Sequence, residues 1–406
     1  MIIKGKFNEA IVYTDKIEDV AVEQIKEILD QEAFRDAKIR IMPDVHTGAG
    51  CVIGFTANLG DKVIPNIVGV DIGCGMLTVE LGYEEISLEE LDNFIHQSIP
   101  SGREIYMHKV YDYIDEIENL KCIRELKGSA KEWTRGIGTL GGGNHFIEIN
   151  VASDGKKYLV IHSGSRNLGH RVASYYQKVA VEYNSGLDEC YYAERNRIIS
   201  SYKQEGKRKE IEPALNELRK NRLVEPKLPP DLCFIEGSKR DEYLFDMRIC
   251  QEYACLNREV MAKKILEFLF HRTNFEMFHT IHNYIDFEDS IVRKGSIKAS
   301  LGTKLLIPIN MRDGSILAKG LGNEEWNWSA PHGAGRILSR TMAKERISLE
   351  DYQKSMTGIY TTSINEQTID ESPMAYKSID DIIINIQDSV EIIEVLKPIY
   401  NFKASN

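Results

Sequence analysis

Apolar and polar residues follow two rhythms along this chain. Ala10-Ile11-Val12-Tyr13 and Lys38-Ile39-Arg40-Ile41-Met42 are short apolar runs of strand type, the second ending at Pro43. Between them, apolar positions at Val20, Val22, Ile25, Ile28 and Leu29 repeat at the spacing of one helical face, predicting a helix over residues 18–30. The apolar run from Val63 to Val70 predicts another strand, one that delivers the chain directly to Asp71. Ser87-Leu88-Glu89-Glu90 has the form of a capping box, so a helix opens there and runs to about Gln97. Residues 156–161, Lys-Lys-Tyr-Leu-Val-Ile, predict a strand that hands over to His162.

A helical pattern dominates from about Leu168 to Phe270. Within it, Lys203 to Lys227 is strongly charged, and Pro229-Pro230 ends the segment. Such a stretch reads first as solvated helical surface and second as a basic face for RNA. The C-terminal third returns to strands at Ser290–Lys294 and Leu305–Ile309, then to a loop at residues 327–340 that predicts a helix from Ile337 to Lys344. Strand ends repeatedly deliver glycine-rich loops, no internal repeat is visible, and no linker splits the chain. The expected fold is α/β of the α+β kind: one domain over residues 1–406, with a helical insertion at about 168–270.

At 406 residues, with 42% apolar and 28% charged positions, the composition is that of a globular chain. No apolar run approaches the roughly 20 residues a membrane helix needs, and the N-terminal segment lacks the pattern of a secretory signal. A cytoplasmic protein is expected. Seven cysteines, odd in number and irregularly spaced, point to reduced thiols rather than a disulfide framework. The net charge of −11 argues against broad nonspecific nucleic-acid binding but leaves room for a local basic channel or a metal centre.

Five glycine-flanked islands carry the chemistry: Asp71-Ile72-Gly73-Cys74-Gly75, Gly143-Asn144-His145, His162-Ser163-Gly164-Ser165-Arg166, His282-Asn283 and His332-Gly333-Ala334-Gly335-Arg336. A thiolate from Cys74, a carboxylate from Asp71 and imidazoles from His145, His162 and His282 would hold two divalent ions if the thiolate is shared; manganese, zinc and iron all suit this set. Arg166 can grip a phosphate through two parallel hydrogen bonds. His332 stands apart, in a loop expected to run into a helix N-terminus, where phosphate is attracted. Imidazole can attack phosphorus, so His332 is a candidate nucleophile, with a sixth metal ligand as the other reading. Asp44, in Pro43-Asp44-Val45-His46, can orient a metal-bound or nucleophilic imidazole. His46 is left open.

These islands, in this order, resemble the RtcB family of RNA ligases over nearly the whole chain. The resemblance extends to Gly138-Thr139-Leu140-Gly141-Gly142-Gly143-Asn144-His145-Phe146, Arg293-Lys294-Gly295 and Glu371-Ser372-Pro373-Met374-Ala375-Tyr376-Lys377. It implies the family's own α/β architecture with a cleft for two manganese ions on Asp71, Cys74, His145, His162 and His282. It implies that His332 attacks the α-phosphate of GTP and becomes a His–GMP intermediate. It further implies that RNA 3′-phosphate or 2′,3′-cyclic phosphate ends are joined to 5′-hydroxyl ends. Asn144, Glu148, Arg336 and Lys403 match positions that contact the nucleotide, and Arg166 matches one suited to a substrate phosphate. An archease-type activator and a monomeric state also belong to what the resemblance implies.

One segment departs from the family pattern. Where such proteins read Pro-Gly-Ser-Met-Gly-Thr, this chain reads Pro308-Ile309-Asn310-Met311-Arg312-Asp313. The departure touches the expected nucleotide pocket and suggests a branch devoted to RNA repair rather than tRNA splicing. The alternative to ligation is a two-metal cyclic-phosphate hydrolase, which needs the same ligands but no guanylated histidine.

Overall fold

Two sheets organise the molecule. The computed structural model describes residues 1–404. A seven-stranded antiparallel sheet runs in spatial order Lys304–Asn310, Gly314–Gly320, Val390–Lys403, Phe146–Val151, Lys157–Ser163, Gly75–Gly82 and Met277–Ile281. A six-stranded sheet runs Ile2–Lys4, Glu9–Val12, Ile39–His46, Ile53–Asn58, Ile291–Lys294 and Asn283–Asp286, with one parallel pair, Glu9–Val12 beside Ile39–His46. Ser296–Lys298 and Ser329–Pro331 form a small third sheet. The fold is mixed α/β in a single domain.

Strand alternation decides what faces the cleft. Successive side chains point to opposite faces of a strand. In the large sheet, Leu77, Val79, Ile147, Ile149, Leu159 and Ile161 fall on one face and pack with Leu91 and Ile95 of helix Leu88–Ser98 and with Met261, Ile265 and Leu266 of helix Gly237–Phe270. The intervening positions, Met76, Phe146, Glu148 and His162, therefore turn to the other face. Register aligns them in rows: Lys403 opposite Phe146, Phe146 opposite His162, and His162 opposite Met76; one row along, Asn401 lies opposite Glu148. A one-residue slip in any of these strands would bury the polar set in the apolar core.

The helix over residues 18–30 forms as Asp19–Leu29, burying Ala21, Ile25, Ile28 and Leu29. Ser87 caps the next helix as expected, its Oγ accepting from the Glu90 amide at 3.4 Å. Two expectations fail. Val63–Val70 is not a strand: Val63 makes one bridge to Ile235, and Pro65–Ile67 is a 3-10 turn. Proline lacks the N–H a ladder requires and suits the first position of such a turn. Asp71 thus follows a turn, and Cys74 immediately precedes strand Gly75–Gly82. His332 does not lead into a helix at Ile337. Arg336 bridges Tyr376, and the next helix is Arg340–Arg346, capped by Ser339.

The region from 168 to 270 is helical but broken, as Arg166–Asn184, Glu189–Gln204, Ile211–Arg222 and Gly237–Phe270. Its charged segment is partly neutralised within the chain: Arg219 pairs with Glu182 at 2.7 Å and Arg222 with Glu194 at 3.0 Å.

Arg293, fully buried, ties the six-stranded sheet to the segment that carries His332. Its guanidinium donates to Asp289 (2.8 Å), Asp286 (3.3 Å), Ser329 Oγ (2.9 Å) and the Asn327 carbonyl (3.2 Å). Removing one member of a buried ion pair leaves uncompensated charge. Arg293→Met is expected to lose about 3–5 kcal/mol of stability, read as a lower midpoint in chemical denaturation; a midpoint equal to wild type would refute this role.

Candidate metal centre and nucleophile

The five islands meet in one cleft of about 650 Å³, lined among others by Asp71, Cys74, Asn144, Glu148, His162, His282, His332, Arg336 and Lys403. Each comes from a strand end or the loop beside it. His145 precedes strand Phe146–Val151, His162 lies within Lys157–Ser163, and His282 sits between Met277–Ile281 and Asn283–Asp286. Gly73 takes a φ of +71° and packs against the long helix, where a Cβ would lie 2.8 Å from that of Ala254. At Gly164 a Cβ would collide with the Asp71 carboxylate. Both positions need glycine for the ligand loops to close on one another.

Hydrogen bonds fix the imidazole tautomers. A carbonyl oxygen can only accept, so a ring nitrogen bonded to one carries the proton. His145 Nδ1 meets the Leu140 carbonyl at 3.0 Å, and His162 Nδ1 meets the Asn144 carbonyl at 3.1 Å. Their Nε2 lone pairs therefore point at the cluster. Cys74 Sγ lies 3.2 Å from His162 Nε2 and 3.5 Å from His145 Nε2; Asp71 lies 3.0 Å from His145 Nε2. His162 and His282 present Nε2 to each other at 3.4 Å. Two groups of ligand atoms, Cys74–His162–His282 and Asp71–Cys74–His145, are each close enough to hold one ion, with the sulfur common to both.

Electrostatics agree with a cation in this place. Burial, and then the Asp71 carboxylate, push the Cys74 thiol well above its ordinary value, so a thiolate needs positive charge beside it. Burial and neighbouring cationic forms hold His162 and His282 well below theirs, so both remain neutral, as ligands must be.

His332 is bound differently. Its Nδ1 meets the buried Asp44 carboxylate at 2.6 Å, and the same carboxylate oxygen accepts from the His332 amide at 3.1 Å. Its Nε2 is left for the cleft, with the ring centroid 4.9 Å from that of His282. His46 donates through Nδ1 to the Asp44 carbonyl at 2.9 Å, and burial draws its pKa down to about 4. It faces the cleft as a neutral imidazole, a place the sequence left open.

At the other end, Lys403 Nζ pairs with Glu371 at 2.7 Å, while Arg336 and Arg340 approach the second Glu371 oxygen at 3.3 Å each. Burial works against this carboxylate, yet Lys403, Arg340 and Arg336 hold it at about 2. Glu371 appeared in the sequence only as part of a motif; the convergence of three cations on it is visible only in three dimensions. The Asn144 carbonyl also receives Lys403 at 3.4 Å. Arg166 lies beneath the glycine run, its guanidinium donating to Thr139 Oγ1 at 3.0 Å and the Gly102 carbonyl at 2.7 Å. The departing loop forms part of the cleft wall through Pro308, Ile309, Asn310 and Met311, while Asn310 and Arg312 bond to Asp313.

A shared sulfur, a carboxylate and three imidazoles beside an anchored histidine define a candidate metal centre. The sequence comparisons supply the class. The chain matches the family model of the tRNA-splicing ligase RtcB over residues 26–404 and belongs to the RtcB family. It is 31% identical over 399 residues to the RNA-splicing ligase RtcB of Escherichia coli (strain K12), covering 89% of this chain and 88% of that protein. It is 26% identical over 474 residues to the tRNA-splicing ligase RtcB of Aeropyrum pernix, covering 91% and 89%. Among the described residues, no helix is long and apolar enough to cross a membrane.

Glu148 supplies a pH test. Asn150 and Asn401 donate to its two oxygens at 2.8 and 2.6 Å, but burial dominates and pushes its pKa up to about 7. The folded state thus holds this proton more tightly than the unfolded chain. Its contribution to stability is complete below the unfolded pKa of about 4.5 and is lost as pH rises through about 7. Glu148→Gln should remove a decline on the order of 3 kcal/mol across that window, measured as the difference between wild-type and variant denaturation curves from pH 4 to 8. Parallel curves would refute the assignment.

Proposed function

We propose that this protein is a GTP- and manganese-dependent RNA ligase. It joins 3′-phosphate or 2′,3′-cyclic phosphate ends to 5′-hydroxyl ends in RNA repair or tRNA splicing. The observation that carries this reading is the His332–Asp44 pair set beside a sulfur-bridged ligand cluster. Asp71, Cys74, His145, His162 and His282 would hold two divalent ions. Their converging Nε2 atoms and the sulfur common to both groups fit bound cations. Such ions supply Lewis-acid stabilisation of phosphoryl oxygens.

The chain's own residues then account for the steps. Asp44 holds the proton on His332 Nδ1, so the Nε2 lone pair attacks the α-phosphorus of GTP; the Nε2–P bond forms and pyrophosphate leaves with the electrons of the broken P–O bond. Asp44 stabilises the resulting imidazolium. An RNA 3′-phosphate oxygen next attacks the same phosphorus, and the P–N electrons return to His332. A 5′-hydroxyl finally attacks the activated 3′-phosphorus; the phosphodiester forms, the P–O bond to GMP breaks, and the hydroxyl's proton passes to the departing GMP phosphate. Arg336 and Lys403, presented by Glu371, are placed to meet nucleotide oxygens, and Asn144 and Glu148 to meet the remainder of the nucleotide. Arg166 is assigned to a substrate phosphate. The same reading takes residues 1–406 as one cytoplasmic, monomeric catalytic unit with helices of about 168–270 inserted and an archease-type activator as partner.

Incubation with GTP labelled at the α-phosphate and manganese should leave a covalent label on wild type and none on His332→Ala. Asp44→Ala should slow labelling by about 10²-fold or more. Unlabelled wild type that still opens 2′,3′-cyclic phosphates would establish the hydrolase instead.

A further inference from the structure

The long helix Gly237–Phe270 passes directly behind the ligand cluster, and two adjacent side chains leave it to hold three ligand loops. Asn257, fully buried, accepts from the Gly138 and Thr139 amides through Oδ1 at 2.7 and 3.0 Å. Its Nδ2 donates to the Thr139 carbonyl (3.2 Å), Ser163 Oγ (3.0 Å) and the Gly164 carbonyl (3.1 Å). Arg258, also fully buried, donates from one nitrogen to the Gly73 carbonyl at 2.8 Å and the Ser163 carbonyl at 2.7 Å. Its Nε reaches His279 Nδ1 at 3.4 Å, whose other nitrogen meets Glu259 at 3.2 Å, and its remaining nitrogen reaches Cys255 Sγ at 3.3 Å.

Every backbone atom so held is close in sequence to a ligand. Gly73 adjoins Cys74, Ser163 adjoins His162, and the Gly138–Leu140 turn supplies the carbonyl that fixes the His145 tautomer. Arg258 directs its nitrogens to the Gly73 and Ser163 carbonyls, the His279 ring and the Cys255 thiol, so one guanidinium ties the Cys74 and His162 loops to the helix. Partners that orient ligands govern metal affinity as much as the ligands do.

We propose that Asn257 and Arg258 are positioning residues of the metal centre, clamping the loops of Cys74, His145 and His162 into ligating geometry. The inference rests on the metal-centre reading above. It is tested on the full chain by titrating Mn²⁺ and following free ion by electron paramagnetic resonance, with circular dichroism verifying the fold. Arg258→Lys retains charge, but its single nitrogen ends one bond short of the atom that bonds both carbonyls and has no counterpart to the nitrogens that reach His279 and Cys255. Asn257→Asp retains the acceptor and loses all three donated bonds. Each is expected to bind Mn²⁺ about 10–100-fold more weakly than wild type, and to gain less thermal stability on adding Mn²⁺ than wild type gains. A purely structural role would lower the metal-free melting temperature and leave the titration unchanged. A folded variant whose titration superimposes on wild type therefore overturns the proposal; if Arg258→Lys does not fold, Asn257→Asp decides by the same criterion. Wild type that binds no Mn²⁺ would overturn the metal-centre reading itself, and with it this proposal, a result distinct from the failure of the clamp alone.

Discussion

Lone pairs are forced together in this cleft. Two imidazole nitrogens face each other at 3.4 Å, and a sulfur lies 3.2 Å from one of them, all away from bulk water. Without a cation in this arrangement, His162 Nε2 can be met only by the proton of the Cys74 thiol or of the His282 ring, and burial removes the water that would satisfy the rest. Much of the surrounding architecture serves to sustain it. Backbone carbonyls pin the outer ring nitrogens, glycines admit the close approach of loops, and the sheet's alternation keeps the polar row apart from the apolar core.

The histidine at the edge of this cluster belongs to a different electrostatic regime. Its Nδ1 faces a carboxylate rather than a carbonyl. A carbonyl fixes a tautomer; a carboxylate also stabilises an imidazolium, such as the proposed attack of Nε2 on phosphorus would create. The contrast between His145 and His162 on one side and His332 on the other is therefore a contrast of partners. Ligation needs a neutral ring that stays neutral, whereas nucleophilic attack needs one that can become charged.

The sequence pointed to the residues that meet in this cluster because cysteine, aspartate and histidine beside glycine are poor core material, and five such islands are hard to explain otherwise. It misread their local settings for definite reasons. Val63–Val70 is apolar enough for a strand, but Pro65 removes a ladder donor and Gly69 takes a φ of +88°. The helix expected at Ile337 begins at Arg340, because Ser339 caps it and Arg336 is drawn aside to Tyr376 and Glu371. Asn257 and Arg258 gave no signal at all. They lie inside a long helix where an Asn-Arg pair looks like exposed surface, and only the loops packed over that helix turn it into an anchor.

A net charge of −11 raises the question of how this chain would meet an anionic substrate. The answer lies in where the charge is placed rather than in its sum. Glu371, nearly wholly buried, draws Lys403, Arg336 and Arg340 to the cleft, and those cations hold its own carboxylate down at about 2. Two buried anions, Glu371 and its neighbour Asp370, thus organise four cations, Lys403, Arg336, Arg340 and Lys344, leaving positive charge in excess at that end. Long basic side chains carry substantial rotamer entropy when free, and here much of it is surrendered on folding rather than on binding. A phosphate entering the cleft would meet donors already converged, sharing them with Glu371 rather than gathering them from solvent.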